Sequence, residues 1–225
     1  MSPAKNDSSP PTNEASDKAC ASIVLCGGRS QRMGTDKALI TFEDETLLQR
    51  TCRTLGKVTR PVVVVAAPLQ TLPKLPDDVT IVRDEFPDQG PLGGLLTGLQ
   101  SLKADSHLTS LPSGVFVCGC DSPFLSANVI AEMQRRFVLL DPRDDCLLVT
   151  HEQQWQPLHS VYRLTVGGTA TRLFESGVLS LHRLLRELNA EIVTASEFVA
   201  LDPKLLFLRN VNTPDDLASA KTHLR

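Results

Sequence analysis

The sequence predicts a single α/β domain with a mostly parallel sheet and helices on both faces. Three observations carry that reading. Short apolar runs of strand length recur along the chain, at Ala21 to Leu25, Val62 to Ala67, Val79 to Val82, Val115 to Cys118 and Cys146 to Val149. Between them lie stretches whose apolar residues return at helical spacing, so strands and helices alternate. Neither an internal repeat nor a mid-chain linker divides the 225 residues, a length that suits one large domain.

Taken in order, Met1 to Lys18 is rich in Ser, Pro, Asn, Asp and Lys and has no apolar core of a secretory signal. It reads as a leader without fixed structure over 1–18, followed by a folded domain over 19–225. The first strand, Ala21 to Leu25, stops at Cys26-Gly27-Gly28. A polar segment follows, with Arg32, Gly34, Asp36 and Lys37, and Lys37 to Phe42 reads as extended. Asp44 is placed to cap a helix that puts Leu47, Leu48, Cys52 and Leu55 on one face. Val62 to Ala67 opens with four valines, a buried strand by its β-branching. Pro68, Pro73 and Pro76 make Leu69 to Asp78 irregular, and the Val79 strand ends on Arg83 and Asp84.

Gly90-Pro91-Leu92-Gly93-Gly94 opens a helix carrying Leu92, Leu95, Leu96, Leu99 and Leu102 along one stripe. The Val115 strand runs into Cys120-Asp121-Ser122-Pro123-Phe124. Ser126 caps the next helix, with Val129, Ile130, Met133 and Phe137 inward. Gln156 to Tyr162 is extended, two helical stretches follow near Leu164 to Phe174 and Leu179 to Leu188, and Ala190 to Thr194 and Leu205 to Leu208 read as short strands. The last helix has Thr213 as cap, Pro214 in its first turn, and Asp215 and Asp216 at the positive end of its dipole.

Composition narrows the function. Hydrophobic residues make up 41% and aromatic residues only 4%, so the core is aliphatic. A net charge of −3 excludes nucleic-acid or membrane binding by bulk electrostatics. No apolar run approaches the roughly 20 residues of a bilayer span. The six cysteines form no C-x-x-C pair, and most sit in apolar runs as small hydrophobes, which points to a reducing, cytoplasmic compartment.

In a Rossmann-like sheet, ligands sit beyond the carboxyl ends of the strands. Three groups fall there: the glycine segment, Asp84 and Asp121. Gly27 and Gly28 allow close backbone approach, their N–H groups can face an anion, and Arg32 and Lys37 add positive charge. The segment reads as a cradle for a triphosphate, although its spacing is neither G-x-x-x-x-G-K-[ST] nor G-x-G-x-x-G. The plainer alternative is a strand-to-helix turn with surface charges. Asp121 beside such a loop suits Mg²⁺, which takes one or two carboxylates and shares the substrate's phosphates; its plainer alternative is the cap of a turn. Nucleotidyl transfer, by in-line attack on the α-phosphorus with pyrophosphate leaving, needs positioning and charge neutralisation more than covalent help. A phosphate monoester acceptor, with a second pKa of about 6, needs no general base. His107, His151, His182 and His223 accordingly sit in surface or helix-face contexts.

The thirteen residues from Leu25 to Lys37 fit L-x-G-G-x-S-x-R-M-G-x-D-K at every defined position. In this the chain resembles the molybdenum cofactor guanylyltransferases and their nucleotidyltransferase relatives. Gly90 to Gly94 looks like that family's G-P-L-x-G, Cys120 to Phe124 its C-D-x-P-[FY], Pro157 to Arg163 its P-L-x-x-x-Y-R, and Asn210 to Leu217 its N-x-N-T-x-[DE]-[DE]-L. The resemblance runs from about Ala21 to the C-terminus and implies a nucleotide-diphospho-sugar transferase-like fold. It implies transfer of GMP from GTP to molybdopterin with Mg²⁺, and admits protein partners that deliver the pterin or receive the cofactor. Leu25, Cys26, Gly27, Gly28 and Gly34 map to the nucleotide loop, Arg32 and Lys37 to its catalytic cations, and Asp84 to a guanine-nucleotide contact. Gly90 and Gly94 line the site, Asp121 is catalytic and holds the metal, and Asn210 and Asn212 lie on the pterin side. Two departures stand out: Val65-Ala66-Ala67-Pro68 offers no Asn of the kind some members place after the valine-rich strand, and Cys26 replaces the usual Ala. The alternatives are a cytidylyltransferase, a transferase on another phosphorylated acceptor, or a non-catalytic nucleotide-binding adaptor. Gly27-Gly28 leans toward the guanylyl type, and the presence of Arg32, Lys37 and Asp121 toward catalysis.

Overall fold

The structure, a computed structural model, describes residues 20–27 and 36–222. Among them, an eight-stranded sheet has at its centre β1 (Ala21–Leu25). To one side of β1 lie β4 (Val62–Ala66) and β5 (Val79–Arg83); to the other lie β6 (Val115–Gly119), β9 (His159–Tyr162), β7 (Cys146–His151) and β10 (Ala190–Thr194). The short β8 (Gln154–Trp155) folds back on β7. Strands β5, β4, β1 and β6 are parallel, as are β7 and β10, while β9 runs antiparallel between β6 and β7. The sheet is mostly parallel, as the alternation of strands and helices predicts.

The chain leaves β1 toward β4 and β5, then returns across the sheet to β6 on β1's other side. Strand order therefore reverses between β1 and β6, and a crevice opens at their carboxyl ends. The crossover is α2 (Gly90–Ala104), whose five predicted leucines are all buried. It shares one face of the sheet with α4 (Val166–Glu175) and α5 (Leu181–Leu185), over Ile23, Val63, Val117 and Leu148. The opposite face carries α1 (Leu47–Leu55) and α3 (Ala127–Val138), over Val24, Val64, Phe116 and Leu147. Neighbours in sequence such as Ile23 and Val24 go to opposite cores because side chains alternate along a strand. A third small cluster joins Phe42 and Leu47 to Val211 and Ala220 of α6 (Pro214–Thr222) and the segment before it. It draws the C-terminal segment against the stretch after Lys37.

Three local expectations give way. Lys37 to Phe42 is not uniformly extended: Lys37–Leu39 forms a turn of 3-10 helix, closed by the Asp36 carboxylate accepting from the Ala38 N–H at 2.9 Å. Only then does the chain enter β2 (Thr41–Phe42), paired with β3 (Glu45–Thr46). Asp44 does not cap α1, because it lies in the hairpin turn, where Glu43 has φ 57°. The cap is Thr46, whose hydroxyl accepts from the Gln49 N–H while the Gln49 carboxamide accepts from the Thr46 N–H at 2.9 Å. The face carried by Leu47, Leu48, Cys52 and Leu55 is buried as expected. Leu205 to Leu208 is a 3-10 turn over Leu206–Leu208 rather than a strand; Leu205 sits at φ 50° and the Asp202 carboxylate accepts from the Phe207 N–H at 2.8 Å.

Helix α2 lies close enough to β1 that a Cβ on Gly98 would come within 2.7 Å of the Ile23 side chain. A Cβ on Gly168, in α4, would meet nothing within 4 Å. Gly98→Val should therefore cost roughly 1–3 kcal/mol by overpacking, whereas Gly168→Ala should be neutral or stabilise by up to about 1 kcal/mol through helix propensity. Urea denaturation of the two variants against the parent measures both.

Candidate active site

The crevice at the ends of β1, β4 and β6 is a cleft of about 1060 Å³. Its centre is a charged contact: Lys37 Nζ donates to Asp121 Oδ2 at 2.7 Å and to Asn212 Oδ1 at 2.6 Å. The two charged side chains are 19% and 17% exposed, so each is sheltered yet open to the cleft. Lys37 reaches this point from the turn that Asp36 caps. Asp121 reaches it from the end of β6, where the Cys120 N–H donates to the Leu25 carbonyl at 3.2 Å and keeps the two strand ends together. Gly119 makes room for the carboxylate, since a Cβ there would stand 2.5 Å from Asp121 Oδ1.

The C-terminal segment is bonded to Asp121 and Lys37 beside the cleft. The Val211 N–H donates to the backbone carbonyl of Asp121 at 2.8 Å, which sets Asn210 and Asn212 on either side of it. Asn212 and Thr213 donate their N–H groups to Asp216 Oδ2 at 3.0 and 2.9 Å. Those bonds, the one from Asn212 foremost, hold the Asp216 carboxyl below the usual carboxylate range. Asn210 Oδ1 accepts from the Ser122 hydroxyl at 2.8 Å, and His159 Nε2 lies 3.3 Å from the same hydroxyl. With the Ser122 proton on Asn210, the bond from His159 places its own proton on Nε2. His159 is buried, and desolvation pulls its pKa down to about 4, so it stays neutral near pH 7.

The structure brings most of the sequence-derived site residues to this one cleft. Leu25, Cys26, Gly27, Lys37 and Asp121 line it together with Asp84, Gly90 and Gly94. Asp84 Oδ1 also accepts from the Phe86 N–H at 2.9 Å and from the Thr97 hydroxyl at 3.3 Å, so its wall of the cleft is braced against α2. Gly90 has φ +72°, and a Cβ on it would press the Leu179 carbonyl at 3.0 Å. The glycines at the start of α2 thus admit close approach by the protein's own chain as well as lining the cavity. Asn210 and Asn212 join the site through Ser122 and Lys37. Gly28, Arg32 and Gly34 lie outside the described residues, between Gly27 and Asp36, both of which line the cleft.

Sequence reading missed Asp36, Gln70, Ser122 and His159. Asp36 and Ser122 stand inside the motifs, and His159 inside Pro157 to Arg163, but nothing in the local pattern marks Gln70. Cys26 and Cys120 are buried against each other at the cleft floor, with Cys118 and Cys52 behind. Contact with Cys26 and burial push the Cys120 thiol well up, and burial pushes Cys52 up to about 12, so these two thiols serve as packing groups and not as nucleophiles. Among the described residues no cluster of three His, Cys, Asp or Glu side chains could hold a metal. Asp121, a carboxylate open to the cleft with no metal-type cluster around it among the described residues, suits a cation that takes its remaining ligands from substrate and water, as Mg²⁺ does, and not a closed protein cage.

A histidine held at about 4 in the folded chain binds its proton later than the unfolded chain does, near 6.5. Between those values the unfolded state carries more protons, so this group's contribution to stability is complete above about pH 6.5 and is lost as pH falls toward 4. His159→Gln should remove that dependence. The stability difference between parent and variant should shrink by up to about 3 kcal/mol between pH 7 and pH 4, read from urea midpoints.

Comparison with known proteins places this cleft among others. Residues 22–192 match the family described as the MobA-like NTP transferase domain. The chain is 34% identical over 198 residues to a protein of Methanothermobacter thermautotrophicus named probable molybdenum cofactor guanylyltransferase, across 86% of this chain and 95% of that one. In structure it is similar to molybdopterin-guanine dinucleotide biosynthesis protein A from Archaeoglobus fulgidus, with a TM-score of 0.73 and 19% identity over 91% of this chain and 98% of that one. It also resembles a Mycobacterium tuberculosis protein solved as a complex with manganese, with a TM-score of 0.56 and 15% identity over 78% and 88% of the two chains. At these identities the structural likenesses speak to the fold.

Proposed function

The chain belongs to the MobA-like NTP transferase family and is a nucleotidyltransferase of the molybdenum cofactor guanylyltransferase type, and from that premise we propose how its cleft works. The reaction moves GMP from GTP to molybdopterin: the acceptor's phosphate oxygen bonds to the α-phosphorus, the α–β phosphoanhydride bond breaks, and pyrophosphate leaves with the electron pair. The observation that carries the proposal is the contact of Lys37 with both Asp121 and Asn212 in one crevice. It joins a phosphate-loop cation, a metal-type carboxylate and the acceptor-side segment at one point.

In this scheme Leu25, Cys26 and Gly27 border the nucleotide, Asp84 faces the guanine side, and Gly90 and Gly94 leave room along the wall. Lys37 exchanges its carboxylate partner for the triphosphate and steadies charge moving onto the leaving group. Asp121 would hold a divalent cation, Mg²⁺, which would neutralise phosphate charge. That a protein with this fold was solved as a complex with manganese supports the use of a divalent ion. Arg32 and the glycines Gly28 and Gly34 complete the loop's part in the scheme. Asn210 and Asn212 orient the acceptor, with Asn210 held in turn by Ser122 and His159. No proton need be removed from an acceptor monoester that is already largely dianionic at pH 7. His159, buried and neutral, serves in the network and not as a base.

No helix among the described residues is long and apolar enough to cross a membrane. A cytoplasmic setting with reduced thiols fits the six free, buried cysteines. We place the catalytic domain at 19–225 with the leader at 1–18, and proteins that deliver the pterin or take the finished cofactor as its partners.

Lys37→Ala should lower kcat for pyrophosphate release by about 10²–10³-fold while the fold survives, checked by a coupled pyrophosphate assay beside a thermal melt. Asp121→Asn should raise the Mg²⁺ concentration needed for half-maximal activity; an unchanged metal titration would move the ion to another carboxylate. GTP with Mg²⁺ should raise the melting temperature by mass action, and CTP should not. Stabilisation by CTP alone would replace the guanylyl assignment with the cytidylyl one.

A further inference from the structure

The turn after β4 holds a side chain that neither the sequence motifs nor the reaction scheme uses. Gln70 sits half-buried at the cleft wall, and both ends of its carboxamide are bonded to the protein. Its Nε2 donates to the Cys26 carbonyl at 3.1 Å and to Asp36 Oδ1 at 2.9 Å, with Cys26 Sγ at 3.7 Å. Its Oε1 accepts from the Ala67 N–H at 3.0 Å. A primary carboxamide has two donor hydrogens, and both are engaged here. None is left to read a nucleobase, as the Asn found after the valine-rich strand in some similar sequences would.

The two groups that Nε2 joins are far from arbitrary. Cys26 is where the chain leaves β1 for the glycine segment, and Asp36 is where it comes back to start the turn that carries Lys37. One amide therefore bridges the beginning and the end of residues 28–35. Asp36 Oδ1 takes a second bond from the Ala38 N–H at 2.9 Å, so the oxygen that Gln70 grips is the oxygen that caps Lys37's turn. Gln70 is itself anchored. Its N–H donates to the Ala67 carbonyl at 3.1 Å, and Arg83 Nη1, from β5, donates to the carbonyls of Ala67 and Gln70 at 3.0 and 2.9 Å. A continuous line of bonds runs from the edge strand through Gln70 and Asp36 to Lys37, and from there to Asp121 and Asn212.

We infer that Gln70 is a positioning residue for the transfer reaction, a clasp that ties both ends of the phosphate-loop segment to the turn after β4 and so aims Lys37. This deepens the guanylyl-transfer reading of the same cleft and rests on it. The clasp depends on a neutral group with two donors. A carboxylate of the same shape puts negative charge beside Asp36 and the Cys26 carbonyl, and an apolar chain of the same length leaves both acceptors unserved.

The test compares Gln70→Glu and Gln70→Met with the parent enzyme, using GTP, Mg²⁺ and molybdopterin. At about pH 8 both variants should show a KM for GTP raised roughly tenfold and a lowered kcat, with melting temperatures within a few degrees of the parent. As the pH falls toward about 5.5, Gln70→Glu should recover severalfold relative to Gln70→Met. Protonation restores one donor, and the neighbouring Asp36 carboxylate raises the pKa at which it happens. A side chain that merely fills the turn gives no such recovery. Hydrogen exchange over residues 36–42, measured without nucleotide, should quicken in Gln70→Met. Parent-like KM and kcat in both variants, or parallel pH profiles of the two, would overturn the positioning role. Unchanged exchange would overturn the clasp itself. Absence of GMP transfer by the parent would instead strike the reading of the cleft, and the exchange measurement would still decide whether the clasp exists.

Discussion

The contact between Lys37 and Asp121 is the constraint on which the site depends. The two residues lie 84 positions apart, one in the 3-10 turn that Asp36 caps and the other at the end of β6, and neither has a reason to stand there alone. A carboxylate at the mouth of β6 without a cation is a desolvated charge. A lysine at the end of the glycine segment without a carboxylate has no fixed direction. The sheet brings Asp121 beside the end of β1, because β1 and β6 are adjacent and parallel with Leu25 opposite Gly119, and the turn capped by Asp36 brings Lys37 to it. Asn212 is a third member, and it arrives through the bond from Val211 to the Asp121 backbone.

Topology explains why so much of this was legible in the sequence. Strand-length apolar runs and a leucine stripe were enough to predict a parallel sheet, and a parallel sheet puts its ligands at the carboxyl ends of its strands. The glycine segment, Asp84 and Asp121 follow β1, β5 and β6, so their convergence needed only the order of elements. The asparagines could be placed only by resemblance, since no periodicity relates residues 210–212 to a strand end.

What escaped the sequence has two physical causes. Asp44 and Thr46 are both good helix caps locally, and the choice fell to a hairpin whose turn takes up Asp44. Leu205 to Leu208 is as apolar as a short strand, yet the Asp202 carboxylate claims the Phe207 N–H and curls it into a turn. His159 looks like any extended residue until β9 is inserted antiparallel between β6 and β7, which buries its ring beside Ser122. Gln70 lies in a proline-punctuated loop, where sequence predicts only irregularity. For His159 and Gln70 the partner lies in another element and no local pattern encodes it, whereas Thr46 with Gln49 and Asp202 with Phe207 are local pairs that compete with equally plausible local alternatives.

The partial exposure of the central pair also bears on turnover. A fully buried ion pair would cost roughly 3–5 kcal/mol to break, and a surface pair about 1 kcal/mol or less. With 19% and 17% of the two side chains open to the cleft, the Lys37–Asp121 pair lies between these limits. It is strong enough to hold both groups in register and weak enough to yield to a substrate. In the proposed scheme a triphosphate would return an anionic partner to Lys37, and a divalent cation would return a cationic one to Asp121. The chain carries a net charge of −3 and so has no general attraction for a nucleotide, and the proposed scheme rests on local charge instead. On that scheme a metal-bound triphosphate would supply both replacement charges at once. A free phosphate supplies only one and would leave Asp121 unpaired.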